Sequence, residues 1–183
     1  MSNAQLKSSL MRHQIMDLMN IGAPNDPKWA LMGVGFTSID ENPNAQTDTV
    51  AFVSSRNAST DTIGYQVSFP FSTRVFKEEE ATMKLHYIAT NHDIGAASLV
   101  EYMRVDLFPN QFDPNLSQYD QDEYRARKFV VAVAVSSISG DGASPIVVEG
   151  DLNTQGDFIL GKFNVRTREF TPISSGSMMG VAQ

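Results

Sequence analysis

Only three imidazoles, His13, His86 and His92, occur in this 183-residue chain, and it contains no cysteine. A two-histidine metal grip needs ligands one helical turn apart with an acid between them. Five residues separate His86 from His92 and no carboxylate lies suitably between, so both are read as surface or helix-end side chains. Without thiols, disulfide frameworks, cysteine-zinc sites and dithiol redox chemistry are excluded. The segment Asp151-Leu152-Asn153-Thr154-Gln155-Gly156 starts like a calcium loop, but its twelfth position is Lys162 where a bidentate Glu is required. The run Glu78-Glu79-Glu80 is better explained by the helix dipole, which favours negative charge in a first turn. Asp106, Asp122 and Glu123 could serve as an acid and a base, yet nothing in the sequence places them together. There is no Gly-x-Ser-x-Gly elbow and no glycine-rich loop leading from a strand into a helix with a lysine. No catalytic, cofactor or metal constellation is read, and the expectation is a protein that is not an enzyme.

The elements that would carry any site are mostly strands. From Thr62 to Ser72 the residues Ile63, Tyr65, Val67, Phe69 and Phe71 alternate with Thr62, Gly64, Gln66, Ser68 and Ser72, the period of a half-buried strand. Pro70 on its polar face requires an edge or an end of pairing. Leu99 to Phe108 alternates likewise, with Met103, Val105 and Leu107 opposite Tyr102, Arg104 and Asp106. Tyr124 to Ser139 reads as one long strand with both faces apolar. Ile146 to Leu152 and Phe158 to Val165 read as two strands joined by a hairpin turn at Asn153–Asp157, where Gly156 supplies the reversal. A weaker strand is expected over Trp29 to Ile39.

One internal helix is expected, opening at Glu78–Glu80 and carrying Ala81, Leu85 and Ile88 at helical spacing. Gln5 to Met19 also shows helical spacing in Leu6, Leu10, Ile15 and Leu18, and is read as a separate N-terminal arm. Long turn-rich segments, Asp40–Thr49, Asn110–Glu123 and Ser139–Pro145, are the kind that make contacts in a domain this small. The expected organisation is an arm over 1–28, a body over 29–171 and a C-terminal tail over 172–183. The fold class is mainly β: a sandwich of two packed antiparallel sheets with one flanking helix and extended terminal arms.

Composition narrows the partners. Fourteen Lys and Arg stand against 21 Asp and Glu, a formal charge of −7. That balance argues against a tight nucleic-acid binder, which needs a cationic surplus. Met1–Lys7 has no basic stretch followed by an apolar run, so no signal peptide is expected. The longest apolar run, Phe129–Val135, is far too short to cross a bilayer as a helix, so no membrane partner is expected.

Four segments in order resemble the tail tube proteins of long-tailed, siphovirus-type bacteriophages. These are the stretch from Trp29-Ala30-Leu31-Met32-Gly33-Val34-Gly35-Phe36 to Thr47, then Gly64-Tyr65-Gln66-Val67-Ser68-Phe69-Pro70-Phe71-Ser72. Glu101-Tyr102-Met103-Arg104-Val105-Asp106-Leu107-Phe108 follows, and last comes Arg127-Lys128-Phe129 through Gly140, leading to Gly150-Asp151-Leu152-Asn153. The resemblance covers Trp29 to Thr171. It implies a major tail protein forming hexameric rings that stack into the tail tube, the conduit for DNA ejection.

Its partners would be further copies of itself and the tape measure, tail terminator and distal tail proteins, with double-stranded DNA passing through the lumen unbound. It would lie in the virion tail after assembly in the bacterial host cytoplasm. Asp40, Glu41, Asn42, Pro43 and Asn44, with Met11, Ile15 and Leu18, are expected at ring-stacking contacts. Glu149 and Asp151 are expected to face the lumen. Two other readings remain open at this point. One is the inner tube of a contractile tail or injection device. The other, from a different class, is a soluble β-sandwich binding or capsid-decorating module, which would want an exposed aromatic platform; Trp29 and Tyr65 both sit in apolar patterns instead.

Overall fold

The computed structural model describes residues 9–173. Along these residues run β1 (Ile15–Asn20), β2 (Trp29–Leu31), β3 (Phe36–Ile39), β4 (Ala45–Val50), β5 (Ser59–Tyr65) and β6 (Ser68–Arg74). Then come α1 (Glu80–Asn91), β7 (Leu99–Asp106), β8 (Glu123–Ser139), β9 (Val147–Thr154), β10 (Ile159–Asn164) and β11 (Glu169–Pro172). One antiparallel sheet takes nine strands in the order β2-β1-β7-β8-β9-β6-β3, with β10 also on β8 and β11 on β10; β4 and β5 form a second sheet by themselves. The mainly β class with one flanking helix is therefore the observed one.

The two packed layers come from one sheet folding over. Phe69 on β6 and Tyr102 on β7 lie three strand spacings apart in the sheet order, about 14 Å in a flat sheet. Their ring centroids are 4.6 Å apart. The sheet must therefore curl until its β6–β3 end faces β1 and β7. The enclosed core holds Met19, Ile39, Phe69, Phe71, Tyr102, Phe129, Val131, Val148 and Leu152, and α1 closes it with Ala81, Leu85 and Ile88. A second cluster of Leu18, Trp29, Met103, Val105, Ala126 and Phe163 occupies the opposite face of β1, β2, β7 and the first half of β8, with Phe170 of β11 packed on it. Strands with both faces covered in this way favour apolar side chains at every position.

Several expectations are corrected. Ile15–Asn20 is a strand between β2 and β7, not part of a helical arm, and Asp17, Leu18, Met19 and Asn20 are all buried. The apolar residues Leu18 and Met19 point to opposite faces, and tertiary pairing on both edges overrides the local helical spacing. The body therefore begins before residue 29. Trp29 to Ile39 is two strands at opposite ends of the sheet. The helix begins at Glu80 and ends with His92 in the left-handed conformation (φ 53°).

The hairpin expected at Gly156 does not exist. Thr154 lies opposite Val131 and Ile159 opposite Lys128, so β9 and β10 both run antiparallel to β8, end to end, as one interrupted strand. Gly156, at φ +79°, sits in the bulge between them, a second use for a positive-φ glycine. The long strand β8 has both faces covered only in its first half; Val130 and Ala134 are exposed. Of the expected C-terminal tail, Pro172 belongs to β11, and 174–183 fall outside the described residues, as do Leu6 and its neighbours in 1–8.

Candidate assembly surface

The register that pairs β3 with β6 continues into β4 and β5. Asp40 N–H donates to the Pro70 carbonyl at 3.0 Å, Asn42 and Ser68 exchange bonds at 2.9 and 3.0 Å, and Gln66 N–H donates to Asn44 at 3.2 Å. Ile39 opposite Phe71 and Ala45 opposite Tyr65 belong to the same alternation. This is one long two-stranded ribbon. Its inner half lies in the body, and its outer half leaves as a projecting arm. The segment expected to be irregular, Asp40–Thr49, is thus largely strand.

From Asn42 to Gln66 every residue except Gly64 is exposed. The alternation Tyr65, Val67, Phe69, Phe71 explains the consequence. Phe69 and Phe71 are buried, while Tyr65 keeps 66% of its surface exposed and Ile63 69%. A stripe of apolar side chains begins in the core and runs onto the arm, where none of the described residues covers it. An exposed apolar patch on a strand ribbon marks a contact surface.

Two further surfaces are left open by the described residues. β7 begins at Leu99 opposite Ala132, so β8 runs on past it from Val133 to Ser139 with β9 on its other edge. A groove of about 440 Å3 lies there, bordered by Val133 and Val135 on one side and Ile88, His92 and Ile94 on the other. Ile94 is 84% exposed. The outer face of β6 and β9 is small and polar. Ser72 is opposite Glu149, Pro70 opposite Asp151 and Ser68 opposite Asn153. Ser72 Oγ and Ser137 Oγ donate to the Glu149 carboxylate at 3.3 and 3.2 Å.

Charged side chains gather where the arm meets the body. Asp17 on β1 is buried and accepts from Arg104 Nε at 2.8 Å, from the Tyr102 hydroxyl and from Arg12. Arg104, also buried, donates to the Ile39 carbonyl at 3.1 Å and to Glu41 at 3.0 Å, with its guanidinium 5.0 Å from the Phe69 ring centroid. Arg127 grips the same Glu41 carboxylate with both terminal nitrogens, at 2.6 and 2.9 Å. Burial alone would raise the Glu41 pKa, but hydrogen bonds and charge from Arg127 and Arg104 outweigh it and hold it below the ordinary 4.5. Burial likewise pushes the Tyr102 phenol well up, and the Asp17 charge adds to it.

The expected contact residues therefore divide. Asp40, Asn42, Pro43 and Asn44 are exposed at the root of the arm, and Met11 is exposed ahead of β1. Ile15 is half-buried. Leu18 is corrected: it is 2% exposed, in the second core cluster, and has no surface to offer. Glu41 turns its carboxylate inward to Arg104 and Arg127. Glu149 and Asp151 share one outer face, two residues apart on β9. Sequence reasoning missed Asp17, Arg104 and Arg127 as a group, although Glu123, Arg125 and Arg127 at alternate places of β8 were a usable signal for one of the three.

These features define a fold: a folded antiparallel sheet with one flanking helix and a projecting ribbon. A solved structure of the tail of an empty GTA particle, from helical refinement with C6 symmetry, contains a chain similar to this one. The match has TM-score 0.55 and 10% identity and covers 82% of this chain and 97% of that one. At that identity the likeness is one of fold. A chain of the six-fold symmetrised anti-feeding prophage (AFP) baseplate covers 88% of this chain and 99% of its own at 6% identity, with a TM-score of 0.45, too loose to carry argument. No protein-family model and no curated protein matches the sequence.

Proposed function

We propose that this protein is a structural subunit of a phage-type tail, forming hexameric rings that stack into a tube through which DNA leaves the particle. The observation that carries the reading is the apolar stripe from Phe71 and Phe69 out to Tyr65, with exposed Ile63 beyond, which the described residues leave uncovered and a second molecule would cover. The fold shared with a C6-symmetric tail supports the choice of a second copy as that molecule. Head-to-tail contacts between identical subunits close into rings or propagate as tubes. Ring closure also removes open strand edges such as Val133–Ser139 of β8. In this arrangement Asp40, Asn42, Pro43 and Asn44, together with Met11 and Ile15, contribute to contacts between rings. The polar face with Glu149 and Asp151 lines the lumen, where these carboxylates, with Arg74 at the end of the same face, keep the wall from gripping DNA. The tape measure, tail terminator and distal tail proteins are its further partners, and the subunit performs no bond-making chemistry.

Negative-stain microscopy of the purified protein tests the proposal. Rings or hollow tubes are expected. Featureless monomers at every concentration would overturn it and favour a decorating module.

A further inference from the structure

We infer that Glu41 is a latch that fixes the direction in which the β4–β5 arm leaves the body. The arm has no buried residue of its own to hold it, since exposure is continuous from Asn42 to Gln66 apart from Gly64. Backbone pairing joins its two strands to each other, but a two-stranded ribbon twists and bends freely at its base. What ties the ribbon to the opposite layer is side-chain contact. Ile39 and Glu41 lie two residues apart on the inward face; the Ile39 side chain packs in the core, and the Glu41 carboxylate meets Arg104 of β7 and Arg127 of β8. Three hydrogen bonds from two forks hold that carboxylate against rotation. Arg104 is itself held by buried Asp17 and by the Ile39 carbonyl, so the latch has a rigid seat.

Glu41 is thus a positioning residue, and its effect on tube growth rests on the tube reading proposed above. The latch itself is a property of the single subunit. The chain has no cysteine, which permits clean spin labelling. Nitroxides at Ser59→Cys on β5 and Asn91→Cys at the end of α1 report the arm's direction as a distance distribution in the unassembled protein. A single narrow peak is expected, and Glu41→Gln should broaden it at least twofold. Glu123→Gln, which breaks the pair with Lys162 away from the ribbon, should leave the width unchanged. An unchanged width in Glu41→Gln, or equal broadening in Glu123→Gln, overturns the latch.

Fluorescence of buried Trp29 reports whether each variant keeps its core. If Glu41→Gln loses it, Arg127→Lys keeps the charge and removes the two-pronged grip, and an unchanged width there overturns the idea equally. Tubes from a wild type whose distance distribution is already broad would refute the latch alone; a narrow wild-type distribution without tubes would refute the tube reading alone.

Discussion

A carboxylate between two guanidiniums titrates differently from one in water, and Glu41 makes this measurable. Its folded-state pKa lies below 4.5, so the contact contributes stability that is fully present above that value and is lost as pH falls through the lower, folded pKa. Arg104 and Arg127 face it, backed by Asp17 and Asp106, and neither arginine titrates in this range. Glu41→Gln should cost about 2 kcal/mol, the scale of a charge-assisted contact near the surface. In urea melts the gap between wild type and variant should hold steady from pH 7 to 5 and shrink below pH 4.5. A gap independent of pH would assign the cost to shape instead. At this scale the sequence was least readable. Asp40–Asn44 reads in the sequence as an exposed contact segment, but only tertiary packing turns Glu41 inward, and Asp17 lay in a stretch whose local spacing reads as helix.

Among the elements, the arm matters most. Alternation predicted the apolar face from Tyr65 to Phe71 correctly in period, because period follows from backbone geometry, and the register shift at Ile63 breaks it beyond. Which half would be covered does not follow from period at all. It depends on where the opposite layer ends, and Tyr65 and Ile63 lie beyond it. The same limit explains Gly156: a positive-φ glycine between two strands fits a reversal or a bulge, and the choice was made by β8, long enough to pair with both. Excising Ala45–Tyr65 and joining Asn44 to Gln66 through Asn-Gly should leave a folded monomer, because the arm adds nothing to either core cluster. Sedimentation should then show a monomer with no tubes under conditions where the intact chain assembles. By contrast, removing Met1–Asn20 deletes β1 from between β2 and β7, so that truncation should unfold the body.

For the whole molecule, charge and length set the behaviour. In the proposed ring the formal −7 would be repeated six times, and the proposed lumen face bears Glu149 and Asp151. Replacing both with lysine should leave tubes intact and slow DNA release, with the delay fading as salt rises because counterion release drives the attraction. Equal release rates would remove electrostatics from the account. Mainly β architecture and the single helix were legible in the chain because hydrophobic period encodes them; the curl of one sheet into two layers was not, since it is set by contacts such as Phe69 on Tyr102. β8 has one more property. At 17 residues it spans roughly 55 Å and is flanked by β7, β9 and β10. A pull between its ends loads those perpendicular ladder bonds together, in shear, whereas a pull on the arm opens the ribbon one rung at a time. The subunit is therefore mechanically anisotropic: a stiff spar through the body, and a compliant tongue in the arm.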